Sequence, residues 1–159
     1  MHLRPLRGGD FDTLFSVASD PLIWEQHPDS DRYQPHVFRA FFDKAMESRG
    51  ALLVTDAKTG RTIGSSRYRY DAQREEIEIG WTFLARSHWG GAHNGEMKRL
   101  MLAHAFGFAE TVIFRVGEHN VRSRTAVERI GGVLSGEAVD DAGRRVVVYS
   151  IRKPDFAAR

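Results

Sequence analysis

The chain has 159 residues, 42% of them hydrophobic and 28% charged, no cysteine and a formal charge of +2, with a sequence pI near 9.1. That length and composition fit one soluble domain with one core and exclude a disordered chain, while the missing cysteine excludes disulfides, thiolate metal sites and a cysteine nucleophile. The cationic excess is spread in short clusters, Arg67–Arg69 and Arg122–Arg124, which gives little support to a nucleic-acid partner and fits a small polyanionic ligand.

A strand is expected from about His2 to Leu6, broken by Gly8-Gly9. Asp10 is a plausible N-cap for a helix that places Phe11, Leu14, Phe15 and Ala18 on one face. Residues 20–34 have neither a helix nor a strand period and are rich in aromatic and charged side chains, Trp24 and Tyr33 among them. A second helix follows Pro35 and buries Phe38, Phe41, Phe42 and Ala45.

Strands are expected over Ala51–Thr55, Thr62–Tyr70 and Glu76–Leu84. The last alternates, with Ile77, Ile79, Trp81 and Phe83 on one face and Glu76, Glu78, Gly80 and Thr82 on the other. A loop rich in glycine leads into a helix from about Gly95 to Phe108, with Asn94 able to cap it and Met97, Leu100, Met101 and His104 on the core side. A strand over Thr111–Val116, a helix over Val121–Ile130 ended by Gly131, and a hairpin of Val133–Val139 with Arg145–Ile151 complete the chain. The fold class is mixed α/β (α+β), a central, mostly antiparallel twisted sheet of about seven strands with four helices. One domain over residues 1–159 is expected. No run approaches the ~20 apolar residues of a membrane span, and Met1–Leu6 has no apolar signal core; a cytoplasmic location without a membrane partner is the expectation.

Two segments carry chemistry. The first is Trp89-Gly90-Gly91-Ala92-His93-Asn94-Gly95-Glu96-Met97, between a strand and a helix. Small residues let a ligand approach the backbone, and free amides at a helix start attract anions. Gly90 and Gly95 have the spacing of a nucleotide-binding P-loop, but Glu96 and Met97 stand where lysine and a hydroxyl residue must be. No G-x-G-x-x-G follows the first strand, and no G-x-S-x-G elbow is present. The second segment is Asn120-Val121-Arg122-Ser123-Arg124-Thr125-Ala126-Val127-Glu128-Arg129-Ile130-Gly131-Gly132, which reads by itself as a capped amphipathic helix. His88 and His93 flank the loop with no third ligand in view, so no metal is expected.

In order and spacing the two segments resemble the GCN5-related N-acetyltransferases (GNAT family). The likeness is nearest to the ribosomal-protein-alanine type, where W-G-x-G-Y-A-x-E-A opens the central helix and N-x-x-S-x-x-x-x-E-K-x-G-F forms the next. Ala92 departs from the family's first loop glycine, Asn94 from its glycine or alanine, and Gly132 from the aromatic after Gly131. The resemblance implies a fold covering nearly the whole chain and acetyl-CoA as co-substrate without a metal. It further implies direct transfer of acetyl to a primary amine, a protein N-terminus or a small molecule, in a ternary complex. Acetyl-CoA would lie along Thr82, Phe83 and Leu84, with its pyrophosphate on Trp89, Gly90, Gly91, Ala92, His93, Asn94 and Gly95 and its pantetheine arm near Asn120. Glu78 matches the family's strand base. Ser123 matches the serine that protonates the departing thiolate, since the alternative tyrosine position is Val127. Residues 20–34, with Trp24 and Tyr33, correspond to the acceptor side. A homodimer is compatible with the family. The competing reading is a non-catalytic acyl-CoA sensor on the same fold.

Overall fold

The computed structural model describes residues 1–158. The elements are β1 (His2–Pro5), α1 (Phe11–Ala18), α2 (Pro35–Glu47), β2 (Ala51–Thr55), β3 (Thr62–Asp71), β4 (Glu76–Leu84), α3 (His93–Ala105), β5 (Thr111–Gly117), α4 (Val121–Arg129), β6 (Val133–Val139), β7 (Arg145–Arg152) and α5 (Lys153–Ala157), with short 3-10 turns at Gly8–Asp10, Pro21–Ile23 and Arg86–His88. The seven strands are ordered β1-β2-β3-β4-β5-β7-β6. β4 and β5 pair in parallel, whereas β1 with β2, β2 with β3, β5 with β7 and β6 with β7 are antiparallel. This is the mixed, mostly antiparallel architecture expected. α5 is additional: five residues are too few to show a period in the sequence.

By internal contacts the chain forms two compact units, Met1–Tyr68 with Trp81–Asn94, and Arg69–Gly80 with Gly95–Arg159. The first unit is built on aromatic packing. Phe38, fully buried, lies 5.5–6.1 Å from the rings of Phe11, Phe15, Phe41 and Phe83. Aromatic pairs at such offsets add about 0.5–1.5 kcal/mol each beyond area burial. Asp10 does not cap α1. Its carboxylate accepts from the Arg4 guanidinium at 2.7 and 2.8 Å and from the Arg7 backbone N–H at 2.7 Å, and the Arg4 hydrogen bonds hold its pKa below the usual carboxylate range.

In the second unit β5 is flanked unequally. With β7 it keeps register from Thr111↔Arg152 to Gly117↔Val146; with β4 the registered pairs are Glu76↔Thr111, Ile77↔Val112 and Glu78↔Ile113, at the start of the nine-residue β4. Met97, Lys98, Met101, Leu102 and Ala105 form the buried side of α3. The expected side was turned by about one residue. Leu100 is 47% exposed, and His104 is on the surface against the Phe108 ring, not in the core. The phase follows from packing both methionines and Leu102, which brings Lys98 inward. α4 ends with Gly131 donating to Glu128 and Gly132 to the Val127 carbonyl. A Cβ at Gly132 would lie 2.4 Å from Val127 Cγ1, so this position admits no side chain while Val127 keeps its place.

The clean alternation expected for β4 fails at one residue. Trp81 has φ 51, in the left-handed region, and such a residue inside a strand interrupts the two-residue side-chain period. Accordingly Phe83 and Leu84 are both buried, at 4% and 5% exposure. A non-glycine residue held there costs roughly 1–3 kcal/mol and persists only where its surroundings fix it; here the Arg67 guanidinium lies 4.7 Å over the Trp81 ring.

Candidate functional site

The backbone after the Trp81 kink is oriented by β3. A Cβ at Gly64 would fall 2.1 Å from the Phe83 carbonyl oxygen, and the Ala85 N–H donates to the Ile63 carbonyl at 2.7 Å. Residues 83 and 85 therefore turn their polar backbone groups toward β3, and alternation turns those of Thr82 and Leu84 to the other edge. Of these, the Leu84 carbonyl accepts from the Trp89 indole N–H at 2.9 Å. The Thr82 hydroxyl pairs with that of Ser66 at 2.8 Å. The Phe83 side chain belongs to the aromatic core, 5.0 Å from the Trp24 ring.

Beyond Leu84 a 3-10 turn and the residues Trp89–Ala92 lead directly into α3. Gly90 has φ 72, a conformation that favours glycine. Around Gly90 and Gly95 an added Cβ would meet nothing within 4 Å, and at Gly91 only His93 Nδ1 at 3.6 Å. The backbone there is open to approach, as an anion cradle requires. The helix begins at His93, two residues before its expected start, so Asn94 lies inside the first turn rather than at the cap position. The residue before it, Ala92, carries no side-chain hydrogen-bond acceptor.

The loop is held from behind by polar contacts. The His88 ring nitrogens lie 2.9 Å from the Ser87 hydroxyl and 3.3 Å from an Asp56 oxygen, and its ring meets that of His93 edge-on at 4.7 Å. Asp56 is held below the usual carboxylate range first by the Lys58 backbone N–H and then by His88. Among the described residues no group of three or more His, Asp or Glu side chains converges as a metal site.

In the second unit Asn120, 6% exposed, caps α4 by accepting the Ser123 N–H at 3.1 Å. Ser123 stands in the first turn of the helix, half-buried. Glu78 is not a solvated carboxylate. It is 5% exposed, and its Oε2 receives Arg69 and Arg115 at 2.6 Å each. That oxygen is committed to two guanidinium groups. Gly95 stands in the first turn of α3.

The two aromatic candidates of residues 20–34 part company. Trp24 is 2% exposed, donates its indole N–H to the Ala18 carbonyl at 2.7 Å and is a core residue; a surface role on the acceptor side is not what the structure gives it. The segment looked uniformly irregular because its burial has no period. Tyr33, 38% exposed, stays at the surface. Asp20 and Ile23 of the same segment, with Val17, Arg86 and Ser87, line a cleft of about 530 Å³, and Arg86 hydrogen-bonds Asp20 and keeps its pKa low.

Two buried cations were not anticipated. Arg67, 7% exposed, lies 4.7 Å over the Trp81 ring and 5.5 Å over that of Phe41. Lys98, 5% exposed, lies with Nζ 5.7 Å from the Phe114 ring centroid, and burial lowers its pKa to about 7. The signal for Lys98 was its place between Met97 and Met101 in a helix that buries both. For Arg67 it was the two-residue step from Ile63 and Ser65 along β3.

Residues 1–133 match the family model described as "Acetyltransferase (GNAT) domain". No curated relative matches the chain by sequence. Among solved structures, a GCN5-related N-acetyltransferase from Brucella melitensis superposes with a TM-score of 0.81 at 22% identity, covering 98% of this chain and 77% of that one. Spermidine N-acetyltransferase from Vibrio cholerae, in complex with CoA and spermine, gives 0.74 at 16% identity over 98% and 97% of the two chains. AAC(6')-Ib in complex with ribostamycin and coenzyme A gives 0.80 at 15% identity over 98% and 94%.

Proposed function

Because this chain belongs to the GNAT acetyltransferase family, we propose that it transfers the acetyl group of acetyl-CoA to a primary amine by direct attack in a ternary complex. The observation that carries the reading is the start of α3: an open glycine-bearing loop, followed by a thirteen-residue helix that begins behind the small Ala92. The amides of a helix start attract a diphosphate. Trp89, Gly90, Gly91, Ala92, His93, Asn94 and Gly95 would hold it, with the Thr82 backbone assigned to the pantetheine arm; Asn120 is assigned to that arm on the motif likeness alone.

The reaction forms a C–N bond and breaks the C–S bond of the thioester. The amine must arrive neutral, which an α-amine with a reference pKa of ~7.7–8.0 does more readily than a lysine at ~10.4. Its surplus proton leaves to solvent or a base, and the departing thiolate gains one. We assign that last proton to the Ser123 hydroxyl. Glu78, with Oε2 engaged by Arg69 and Arg115, sets the local charge and holds those arginines, and proton removal from the amine falls to a water path. Residues 1–159 act as one catalytic domain.

The motif likeness to the ribosomal-protein-alanine type makes a peptide N-terminus the first acceptor to test. A polyamine and an aminoglycoside come next, since two proteins of the same fold were solved with spermine and with ribostamycin. At 15–16% identity those likenesses carry the fold and do not select among acceptors. The experiment is acetyl-CoA incubated with the protein and panels of peptides, polyamines, aminoglycosides and amino acids, followed by release of free thiol. Thiol release with one class identifies the acceptor. Tight acetyl-CoA binding with no release on any amine would replace the enzyme by a sensor, and no binding would remove both readings. Replacing Tyr33 by Ala should raise acceptor KM and leave acetyl-CoA KM unchanged; an equal change in both would take Tyr33 out of the acceptor side.

A further inference from the structure

Three neighbouring strands meet at one buried carboxylate. Arg69 of β3, Glu78 of β4 and Arg115 of β5 belong to the same compact unit. Glu78 Oε2 receives both guanidinium groups at 2.6 Å, and only 6% of the Glu78 side chain is exposed. Two cations thus share one buried anion. Arg69 has a further acidic neighbour, Asp141 at 3.7 Å. Arg115 has, among the described residues, no acidic partner beyond its share of Glu78. Glu78 takes its Nη1 donor, and the guanidinium makes no other hydrogen bond among those residues. The side chain is 21% exposed, so a solute can reach it. A guanidinium set this far into a protein costs free energy when its charge is incompletely met. It also stands beside an opening. The registered pairs of β4 with β5 stop at Glu78↔Ile113. Arg115, two residues further on, shares the face of Ile113 on the stretch of β5 that continues in register with β7.

We propose that Arg115 receives a carboxylate carried by the acceptor beside its amine, so that the acceptor is a free amino acid and not a polycation. The inference rests on the transfer reading above, which assigns to the pantetheine arm Thr82, four residues beyond Glu78 on β4, and Asn120, five beyond Arg115. A guanidinium presents its donors in a planar fork that matches both oxygens of a carboxylate, and such charge-assisted pairs are the stronger hydrogen bonds. Glu78 fixes the group through Nη1 and leaves the edge of Nε and Nη2 for a second carboxylate. An acid there completes the neutralisation of Arg115. A spermidine or an aminoglycoside brings further ammonium groups instead, which meet like charge. The transfer step is unchanged. The amine nitrogen bonds the acetyl carbon, the C–S bond breaks, the surplus amine proton goes to water and the thiolate gains one.

Thiol release at saturating acetyl-CoA tests it, with each common amino acid paired against its own α-amide, and with spermidine and ribostamycin alongside. The amide keeps the amine and removes the negative charge, and kcat/KM is compared per neutral amine. The expected result is a best acid that exceeds its amide by about tenfold or more, as a charge-assisted hydrogen bond gives. Arg115→Gln should abolish that ratio through the acceptor KM, and Arg115→Lys should restore part of it. Because Arg115→Gln leaves Glu78 one partner short, the double variant Glu78→Gln/Arg115→Gln repeats the measurement with both charges gone, and the ratio should be lost there too. Wild-type transfer at equal rates to acid and amide, or best transfer to spermidine or ribostamycin, overturns the proposal without any variant and leaves the transfer reading standing. An acid preference that survives in the folded variants places the carboxylate elsewhere and overturns it as well. Acetyl-CoA binding with no thiol release on any amine removes the transfer reading, and this proposal with it.

Discussion

Helices α3 and α4 follow the two motif segments and begin in opposite ways. α4 is closed by its own chain: Asn120 accepts the Ser123 N–H, and the cap residue is buried. α3 starts at His93 behind an alanine, and Asn94, the residue suited to closing it, lies inside the first turn instead. The sequence thus spends an asparagine on one helix start and sets an alanine before the other, where small residues clear the approach. The difference teaches how to read such motifs. A capped start is a stability device worth about 1 kcal/mol, while a helix start behind a glycine loop suits the anion proposed above. α3 also differs in its middle, where it buries Lys98.

The largest expected effect separates the helices by pH. Burial lowers the Lys98 pKa from 10.5 to about 7. Between those values the unfolded chain holds a proton that the folded chain has released, so stability rises with pH through that window and falls as pH drops toward 7. Lys98→Met keeps the apolar stem and removes the charge. It should stabilise the protein by a few kcal/mol at about pH 6–7, with the gain shrinking as pH rises above about 7 and gone above about pH 10. Thermal melts across pH would expose the idea as wrong if parent and variant changed in parallel.

Next is the open start. Ala92→Leu should weaken acetyl-CoA binding by about tenfold, or ~1.4 kcal/mol, and change fold stability by less than ~0.5 kcal/mol. Calorimetry on the folded variant decides, and unchanged affinity would move the pyrophosphate elsewhere. The closed start should show the reverse sensitivity. Asn120→Ala should cost ~1 kcal/mol of stability in the absence of ligand, while Asn94→Ala at α3 should cost well under half of that. Equal losses in denaturant titrations would erase the distinction between the two helices.

The smallest effect is chemical. Ser123→Ala leaves the backbone N–H that Asn120 binds, so the cap survives and only the hydroxyl is lost. Single-turnover transfer at saturating acetyl-CoA should slow by several-fold, toward the low end of general-acid effects of ~10², because a thiolate leaves readily. A rate within about twofold of the parent, ~0.4 kcal/mol in barrier, would hand the proton to water.

Much of the fold was legible because strands and helices announce themselves by period and by turn residues. β2, α2, β6 and the end of α4 at Gly131 stand where pattern placed them. What was not legible depended on partners distant in sequence. Glu78 alternates like a solvent-facing residue, yet Arg69 and Arg115, the latter 37 positions away, enclose it. Asp10 looks like a cap until Arg4 and the Arg7 N–H claim it. Trp24 sits in a segment without period and still reaches the core, because one indole can bridge Ala18 and Phe83. The kink at Trp81 was invisible since no glycine or proline marks that residue; its neighbour Gly80 was the only local sign. In the candidate site, the loop and the start of α4 followed from the sequence pattern, whereas α3 begins two residues before its expected start and the orientation of the Thr82, Phe83 and Leu84 backbone needed β3.

The indole of Trp89 has a consequence for how the protein can be watched. Its N–H is tied to the Leu84 carbonyl, so one fluorophore is fastened to the strand at one end and begins the proposed diphosphate loop at the other. Trp24 is sealed in the aromatic core and reports unfolding. With Trp81, the third tryptophan, replaced by Phe, the chain would carry its own two-channel optical readout. Quenching by iodide should fall on the Trp89 emission when acetyl-CoA covers the loop, while Trp24 stays dark to the quencher until the core opens. In a Trp89→Phe variant the ligand-dependent part of that signal should vanish and the unfolding part remain.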